Sequence, residues 1–344
     1  MKKIISLLLV VLMAVTVFSF AACDNKATTE EPSTEESSSI ANTADLKFGL
    51  GVVSAYDKAK DADGTNNGSL KVSTTAVAVL LDAEGKIADI ALDTLDATAE
   101  WTSAGVAAAS TEMKTKYELG TAYGMSTYAN TKEWNEQADA FVATAKGKTV
   151  AEVKAFMGED NYATGDLATA GCTIKVDAFI NALDKAVANA VASKATSADK
   201  LSLAFATSVK NADVTEEGAD GKVEVTATIV AAVTDAEGKV VVAKTDAAQS
   251  KVTFDAAGAS TTDTTAELKT KAELGTDYGM SAYGAKEWNE QAAAFDSALV
   301  GKTAADFAAL ADAEGKGTGD LATAGCTIDI ADMIKAASAA ATVA

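Results

Sequence analysis

The sequence predicts an α+β protein with two tandem homologous domains, each an antiparallel sheet followed by several helices. Three observations carry this. The part of the chain after residue 44 is written twice, with a period of roughly 154 residues. Within each copy, β-branched and alternating runs come first. Helix-period runs with capping residues come after them, and strands followed by helices in sequence imply an α+β domain.

The repeat is read from matching segments. Lys47–Lys86 aligns with Lys200–Lys239 without a gap, and Lys114–Tyr128 (KTKYELGTAYGMSTY) matches Lys269–Tyr283 (KTKAELGTDYGMSAY). Lys132–Ala140 matches Lys286–Ala294, and Gly165–Ile174 and Gly319–Ile328 both read GDLATAGCTI. The domains are placed at 45–192 and 198–342, joined by the short polar segment Ser193–Asp199. Two equal domains on one tether suit bivalent capture, because the second contact gains effective concentration.

Strands are expected at Leu46–Ala55 and Leu70–Leu81, and again at Leu201–Val209 and Val223–Val233. Each second strand runs into Asp-Ala-Glu-Gly-Lys, at Asp82–Lys86 and Asp235–Lys239, which suits a type I turn closed by a left-handed glycine. Third strands are expected at Ile87–Leu95 and at Val240–Thr245, the latter extended by Gln249–Phe254. Helices follow. Glu287–Val300 places Trp288, Ala292, Phe295 and Leu299 on one stripe, and Gly301 stops that helix as Gly147 stops its twin. Thr149-x-x-Glu152 reads as a capping box, with Thr303-x-x-Asp306 a weaker version. Asp177 and Asp332 are expected to cap terminal helices over Ala178–Ala190 and Met333–Ala341.

The N-terminus carries an address. Lys2 and Lys3 precede an almost unbroken apolar run, Ile4–Phe20, then Ala21, Ala22 and Cys23. This is the pattern of a secretory signal over residues 1–22, too short and too abruptly polar afterwards for a permanent span. Phe20-Ala21-Ala22-Cys23 resembles the lipobox of bacterial lipoproteins, with Phe20 where that family usually has Leu. The resemblance implies a diacylglyceryl thioether on Cys23, cleavage before it, and a protein held on the extracytoplasmic face of the cell membrane. Each buried acyl CH₂ contributes roughly 0.8 kcal/mol to such an anchor. The alternative is an ordinary secretory signal with an incidental cysteine. Residues 23–44 are rich in Ser, Thr and Glu and contain the sole proline, Pro32; they read as a disordered spacer.

Composition narrows the chemistry. The formal net charge is −20, which disfavours nucleic acid and anionic surfaces as partners. There is no His, and every basic residue is Lys. Ser-His-Asp and Cys-His catalysis and His-containing zinc sites are thereby excluded, and bidentate Arg clamps are absent. No paired carboxylates suggest a hydrolase. Of three cysteines, Cys172 and Cys326 stand at matching positions, either as buried apolar side chains or as one bridge between the copies.

The copies have diverged unevenly. Lys47–Lys86 and its twin share 13 of 40 residues, 5 of them the turn, whereas Lys114–Tyr128 and its twin share 12 of 15. Two readings account for the retained segments. In one they form a ligand-facing surface, with Tyr123, Trp134, Asn135 and Gln137 supplying stacking and amide hydrogen bonds, repeated by Tyr278, Trp288, Asn289 and Gln291. In the other, simpler reading, a Tyr-Gly-Met corner locks one helix against the next. The segment Asp61–Gly68 offers oxygen ligands, but an EF-hand count from Asp63 puts Thr74 where Glu is needed, so it reads as a polar hairpin loop.

The hairpin formed by an apolar run, Asp-x-x-Gly-Lys-Ile and a second alternating strand is similar to the opening of exported FMN-binding domains. That resemblance implies FMN on a Thr or Ser by a phosphoester. Gly258-Ala259-Ser260-Thr261 is similar to the attachment motif, which would make Ser260 the attachment residue. Ala257 departs from the pattern, and the aligned Gly105-Val106-Ala107 has no hydroxyl. The preferred expectation is a non-enzymatic, lipid-anchored binding or structural module without a cofactor, its partner a surface or small-molecule ligand. A flavin-carrying electron-transfer lipoprotein is the alternative.

Overall fold

A computed structural model describes residues 45–108, 113–129, 131–215, 217–283 and 286–342. The expected signal sequence, the lipidation expected at Cys23 and the expected spacer lie outside these residues.

The first repeat opens with β1 (Lys47–Tyr56), β2 (Gly68–Leu81) and β3 (Ile87–Trp101). Short helices follow: α1 (Lys116–Leu119), α2 (Met125–Ala129), α3 (Trp134–Ala145), α4 (Val150–Lys154), α5 (Gly165–Thr169) and α6 (Asp177–Ala188). A two-residue strand, β4 (Val191–Ala192), returns to pair with the start of β1. The second repeat gives β5 (Lys200–Ala212), β6 (Gly221–Thr234) and β7 (Val240–Phe254). Then come α7 (Lys271–Leu274), α8 (Trp288–Leu299), a 3₁₀ segment (Ala304–Leu310), α9 (Gly319–Thr323) and α10 (Ala331–Thr342). The sheets run β3-β2-β1-β4 and β5-β6-β7, antiparallel throughout. This is the α+β arrangement of two homologous units, each a sheet followed by helices.

The third strands are longer than the sequence suggests. β3 continues past Leu95 to Trp101, and β7 is unbroken through Asp246 and Ala247, because both partners of the ladder keep pairing to the end. Asp82 closes its turn by accepting from the Glu84 and Lys86 amides at 3.0 and 2.8 Å, with Gly85 at φ +76. Such a left-handed position favours glycine. Asp177 is not a cap. Val176 holds that place and Asp177 lies in the first turn of α6, where a carboxylate suits the helix dipole. In the second repeat Asp329, not Asp332, accepts from the Ala331 amide at 2.9 Å.

Side-chain alternation explains the layering. On β2, Leu70, Val72, Ala76, Ala78 and Leu80 point to one face, while Val77, Val79 and Leu81 point to the other. The first set packs against Val223, Val225, Ala227, Ile229, Ala231 and Val233 of β6, so the two sheets share a core. The second set lies under Trp134, Phe141, Phe179 and Ile180 of α3 and α6. On β6, Val230 and Ala232 lie likewise under Trp288, Phe295 and Met333 of α8 and α10. The order is helices, sheet, sheet, helices. A strand covered on both faces loses the polar half of its pattern, which is why the second halves of β2 and β6 (residues 76–81 and 229–233) read as unbroken apolar runs while the first halves still alternate. The two repeats are thus halves of one body, and the picture of two independently tethered binders does not fit them.

The halves meet through equivalent residues. In each half the loop after the first strand bonds to the loop after the third strand of the other: Ala62 N–H donates to the Gly258 carbonyl at 2.8 Å, and Val214 N–H to the Gly105 carbonyl at 2.9 Å. Asp61 accepts from the Ser260 amide at 2.8 Å, and Asp213 from the Ala107 amide at 2.9 Å. Contacts that recur with the partners exchanged are the mark of a two-fold, isologous interface.

Candidate functional site

The retained segments form a fastened corner in each half. Trp134 begins α3 and is 3 % exposed. Its ring meets Tyr117 and Phe179 edge-on, with centroids 5.4 and 5.7 Å away. Lys116 Nζ lies 5.4 Å from the Trp134 ring and 5.0 Å from that of Tyr123. Lys271 repeats the arrangement over Trp288 at 5.6 Å and Tyr278 at 5.1 Å. Such cation–π placement favours the charged lysine beside a buried ring. Tyr123 OH donates to Asp96 at 3.3 Å, and burial pushes its phenol up to about 12; Tyr278 OH lies 3.2 Å from Gln249 Oε1.

Gln137 and Gln291 are fully buried. Gln137 Nε2 donates to the Lys132 carbonyl at 2.9 Å, and its Oε1 accepts from the Thr173 amide at 2.8 Å and hydroxyl at 3.1 Å. Gln291 does the same with the Lys286 carbonyl and the Thr327 amide, both at 2.8 Å. One amide therefore ties the Lys-Glu-Trp-Asn-Glu-Gln segment to the Gly-Cys-Thr segment in each half. A buried amide left without partners is costly, and this links the retention of two segments far apart in sequence. Glu133 and Glu287 tighten the same corner by accepting from the Met125 and Met280 amides at 2.9 and 3.0 Å. Asn135 and Asn289 are half-buried, and their Oδ1 atoms are buried without a donor. Of these eight residues, the structure brings only Asn289 to the wall of a cavity described below.

Two related clefts lie where the halves meet. The first has a volume of about 400 Å³ and is walled by Ile90, Leu92 and Asp93 of β3, Tyr117 and Val142 of the first repeat, and Leu203 and Phe205 of β5. Leu201 and Ala339 complete its apolar lining. Asp93 is 9 % exposed; burial pushes its carboxyl up to about 6, against hydrogen bonds from the Thr115 side chain and the Thr94 and Tyr117 amides. Tyr117 OH donates to Asp139 at 2.7 Å, and Glu118 joins these two carboxylates at the wall. The second cleft, about 310 Å³, is built from the equivalent elements with the halves exchanged: Asp246 of β7, Glu273 of α7 and Asp296 of α8 face Leu50 and Val52 of β1 and Lys185 of α6. Its chemistry is different, because Asp296 stands where the first cleft has Val142, and Lys185 where it has Ala339. Burial pushes Asp246 and Asp296 up to about 6. A third cavity, about 610 Å³, lies between β1, β2, α6 and residues 264–268 and is lined by Ser54, Ser73, Thr75 and Asp184 among others.

Asp93, Asp246 and Asp296 escape sequence reasoning. Their signal is an acid on an apolar strand or helix face, as in Leu92-Asp93-Thr94-Leu95, which is equally the pattern of a solvated strand.

Ser260 is part of the exchange between halves. Its amide donates to Asp61, its hydroxyl accepts from the Thr262 amide at 3.5 Å, and the neighbouring Gly258 carbonyl accepts from Trp101 Nε1 at 2.9 Å. A Cβ on Gly258 would lie 2.8 Å from Ala62 Cβ. A phosphoester on Ser260 would bring its charge near the Asp61 carboxylate, in a loop already packed against the other half. Asp63 accepts from the Thr65 and Asn66 amides at 2.9 and 2.7 Å, which closes the loop on itself. Cys172 and Cys326 are free and buried in separate outer cores, so they form no bridge.

Comparison of the chain with protein-family models, with curated proteins and with solved structures gave no match.

Proposed function

We propose that this chain is a lipid-anchored extracytoplasmic binding protein, without catalytic activity, that takes a small amphipathic ligand in the apolar cleft between its halves. The lipobox at Cys23 supports the anchor. The observation that carries the binding reading is the first cleft: an apolar cavity of about 400 Å³ with the Asp93, Glu118 and Asp139 carboxylates on one side. Concave, mostly apolar sites with a few convergent polar groups are where small ligands bind. The ligand that complements it has an apolar body and a cationic or hydrogen-bond-donating end. The shared core holds the walls in fixed relation, so binding needs little ordering of the protein.

The test uses N-phenyl-1-naphthylamine, a neutral probe that fluoresces in apolar surroundings, and dodecyltrimethylammonium as competitor. Saturable fluorescence that the competitor displaces, and that Leu203→Trp abolishes by filling the cleft, is the expected result. Fluorescence unchanged in a folded Leu203→Trp protein would overturn the assignment of the site. For the anchor, blocking lipoprotein signal peptidase should leave an unprocessed precursor; processing that ignores the block would mean an ordinary secretory signal.

A further inference from the structure

The two clefts differ in the strand edge that borders each. β1 and β5 are matching strands, each with one side turned away from its long neighbour in the sheet. An unpaired strand edge is a template for another strand, and proteins commonly block it. On β1 the block runs along the strand. β4 pairs with Lys47 and Phe48, and the Ser193 amide donates to the Leu46 carbonyl at 3.0 Å. Further along, Asn189 Nδ2 donates to the Leu50 carbonyl at 3.4 Å and Lys185 Nζ to the Val52 carbonyl at 3.1 Å. Ser54 is then bridged by Leu268. Every second residue of that edge, from Leu46 to Ser54, thus has a partner.

Beside the first cleft β5 has none of these blocks among the described residues. In the register it shares with β1, the residues that turn their main chain outward there are Leu201, Leu203 and Phe205. No described strand pairs with this side, and no described group bonds the amides or carbonyls of these three beyond the ladder with β6. The cause lies in the sequence. Ala339 stands in place of Lys185 and Val343 in place of Asn189, and neither side chain can donate. The facing strand repeats the contrast. In the second cleft the Thr245 amide donates to Asp296 at 3.1 Å. In the first, Leu92 takes the place of Thr245 and Val142 that of Asp296, so no carboxylate stands there to meet the Leu92 amide. Five successive residues of β5, Leu201 to Phe205, line the first cleft. Their side chains alternate between the two faces of the sheet, so the cleft runs along the strand's edge.

We infer that the first cleft takes an extended peptide whose main chain pairs with the open edge of β5 at Leu201, Leu203 and Phe205. In strand addition of this kind, backbone bonds supply affinity and pockets for alternate side chains supply preference. Apolar side chains of the peptide rest on Leu92, Val142 and Ala339. A basic side chain meets the Asp93, Glu118 and Asp139 carboxylates, to which the lining offers no lysine. The occupant is therefore an apolar peptide that carries a lysine or arginine. The sister cleft, its edge already met by Lys185, Asn189 and Asp296, does not take it. The inference rests on the reading of the first cleft as a ligand site and names the class of ligand.

The test is calorimetric titration of the full-length protein in phosphatidylcholine nanodiscs, with empty nanodiscs as the blank. The probe is the tetrapeptide acetyl-Leu-Val-Leu-Lys amide. Two N-methylated isomers accompany it, one methylated on the main-chain nitrogens of its first and third residues, the other on those of its second and fourth. Both keep every side chain and the charge, and they differ in which edge of the extended peptide has lost its N–H groups. The parent peptide is expected to bind saturably. One isomer should bind at least about tenfold more weakly than the other, because only one edge of the peptide faces β5. Equal affinities of the two isomers would overturn the inference. No saturable heat from the peptide, where dodecyltrimethylammonium still binds, would overturn it too and leave the cleft as a site for another ligand. If neither binds, the reading of the cleft falls with it. The isomer comparison needs no variant, so it stands even if a substitution unfolds the protein.

Discussion

Trp101 and Phe254 occupy the same place in the two repeats, the last residues of β3 and β7, and they stack on one another with ring centroids 5.1 Å apart and planes 2° from parallel. In the isologous interface that the exchanged loop contacts define, equivalent residues meet at the two-fold axis, so this pair marks where the halves turn about one another. Each ring lies against a glycine of its own sheet, since a Cβ on Gly68 would fall 2.3 Å from Trp101 Nε1 and one on Gly221 2.3 Å from Phe254 Cε2. Trp101 also donates to the Gly258 carbonyl across the interface. Trp101→Ala should therefore cost about 3–5 kcal/mol, as large-to-small changes of buried aromatics do. Because the core is shared, chemical denaturation should stay a single transition moved to lower denaturant. Two separated transitions, with the second half unaffected, would contradict a common core.

Gln137→Leu removes an amide that satisfies the Lys132 carbonyl and the Thr173 amide together. Leaving these part-buried groups without the amide should cost about 1–3 kcal/mol. Gln291→Leu should cost a similar amount, since its partners are equivalent. If these glutamines instead served a ligand, both variants would keep wild-type stability, which a urea titration decides.

The buried carboxylates set a pH dependence. Asp93, Asp246 and Asp296 are pushed by burial from 3.8 to about 6. Between these values the folded protein holds protons that the unfolded chain has released. Stability from these groups is therefore greatest below about pH 4, falls as pH rises through about 6, and is level above. Asp246→Asn keeps an oxygen for the Ala247 and Ala272 amides and removes the charge. Its stability relative to wild type should rise between pH 4 and 7, measured by urea titration at each pH. A difference that is flat with pH would show that Asp246 titrates normally in the folded state.

Much of the fold was legible because it rests on local rules. The duplication, the Asp-Ala-Glu-Gly-Lys hairpins and the Trp288–Leu299 stripe each follow from spacing and turn chemistry. What stayed hidden is the contact between halves. Val77 and Ala78 are both fully buried, one under helices and one under the sister sheet, and nothing in an apolar run says which partner covers which face. The candidate site was hidden for the same reason. Asp93 and Leu203 come together only when β3 of one half meets β5 of the other. Uneven divergence pointed instead to Gln137 and Trp134, which lie buried on α3.

The cysteines give a last test that joins the two ends of the chain. Cys172 and Cys326 are fully buried in different cores, and burial pushes the Cys172 thiol up to about 11 and raises that of Cys326. The thiolate is the reactive form, so neither should react with a disulfide reagent such as dithiobis-nitrobenzoate at pH 8 while the protein is folded. In denaturant both should react. The sequence has 3 cysteines, so the count also reads the N-terminus. Protein extracted from membranes should release two equivalents if Cys23 is held as a thioether. A signal cut that leaves Cys23 free would give three. Fast reaction of the folded protein at Cys172 would instead mean that the layer of α3 and α6 over the first sheet opens readily.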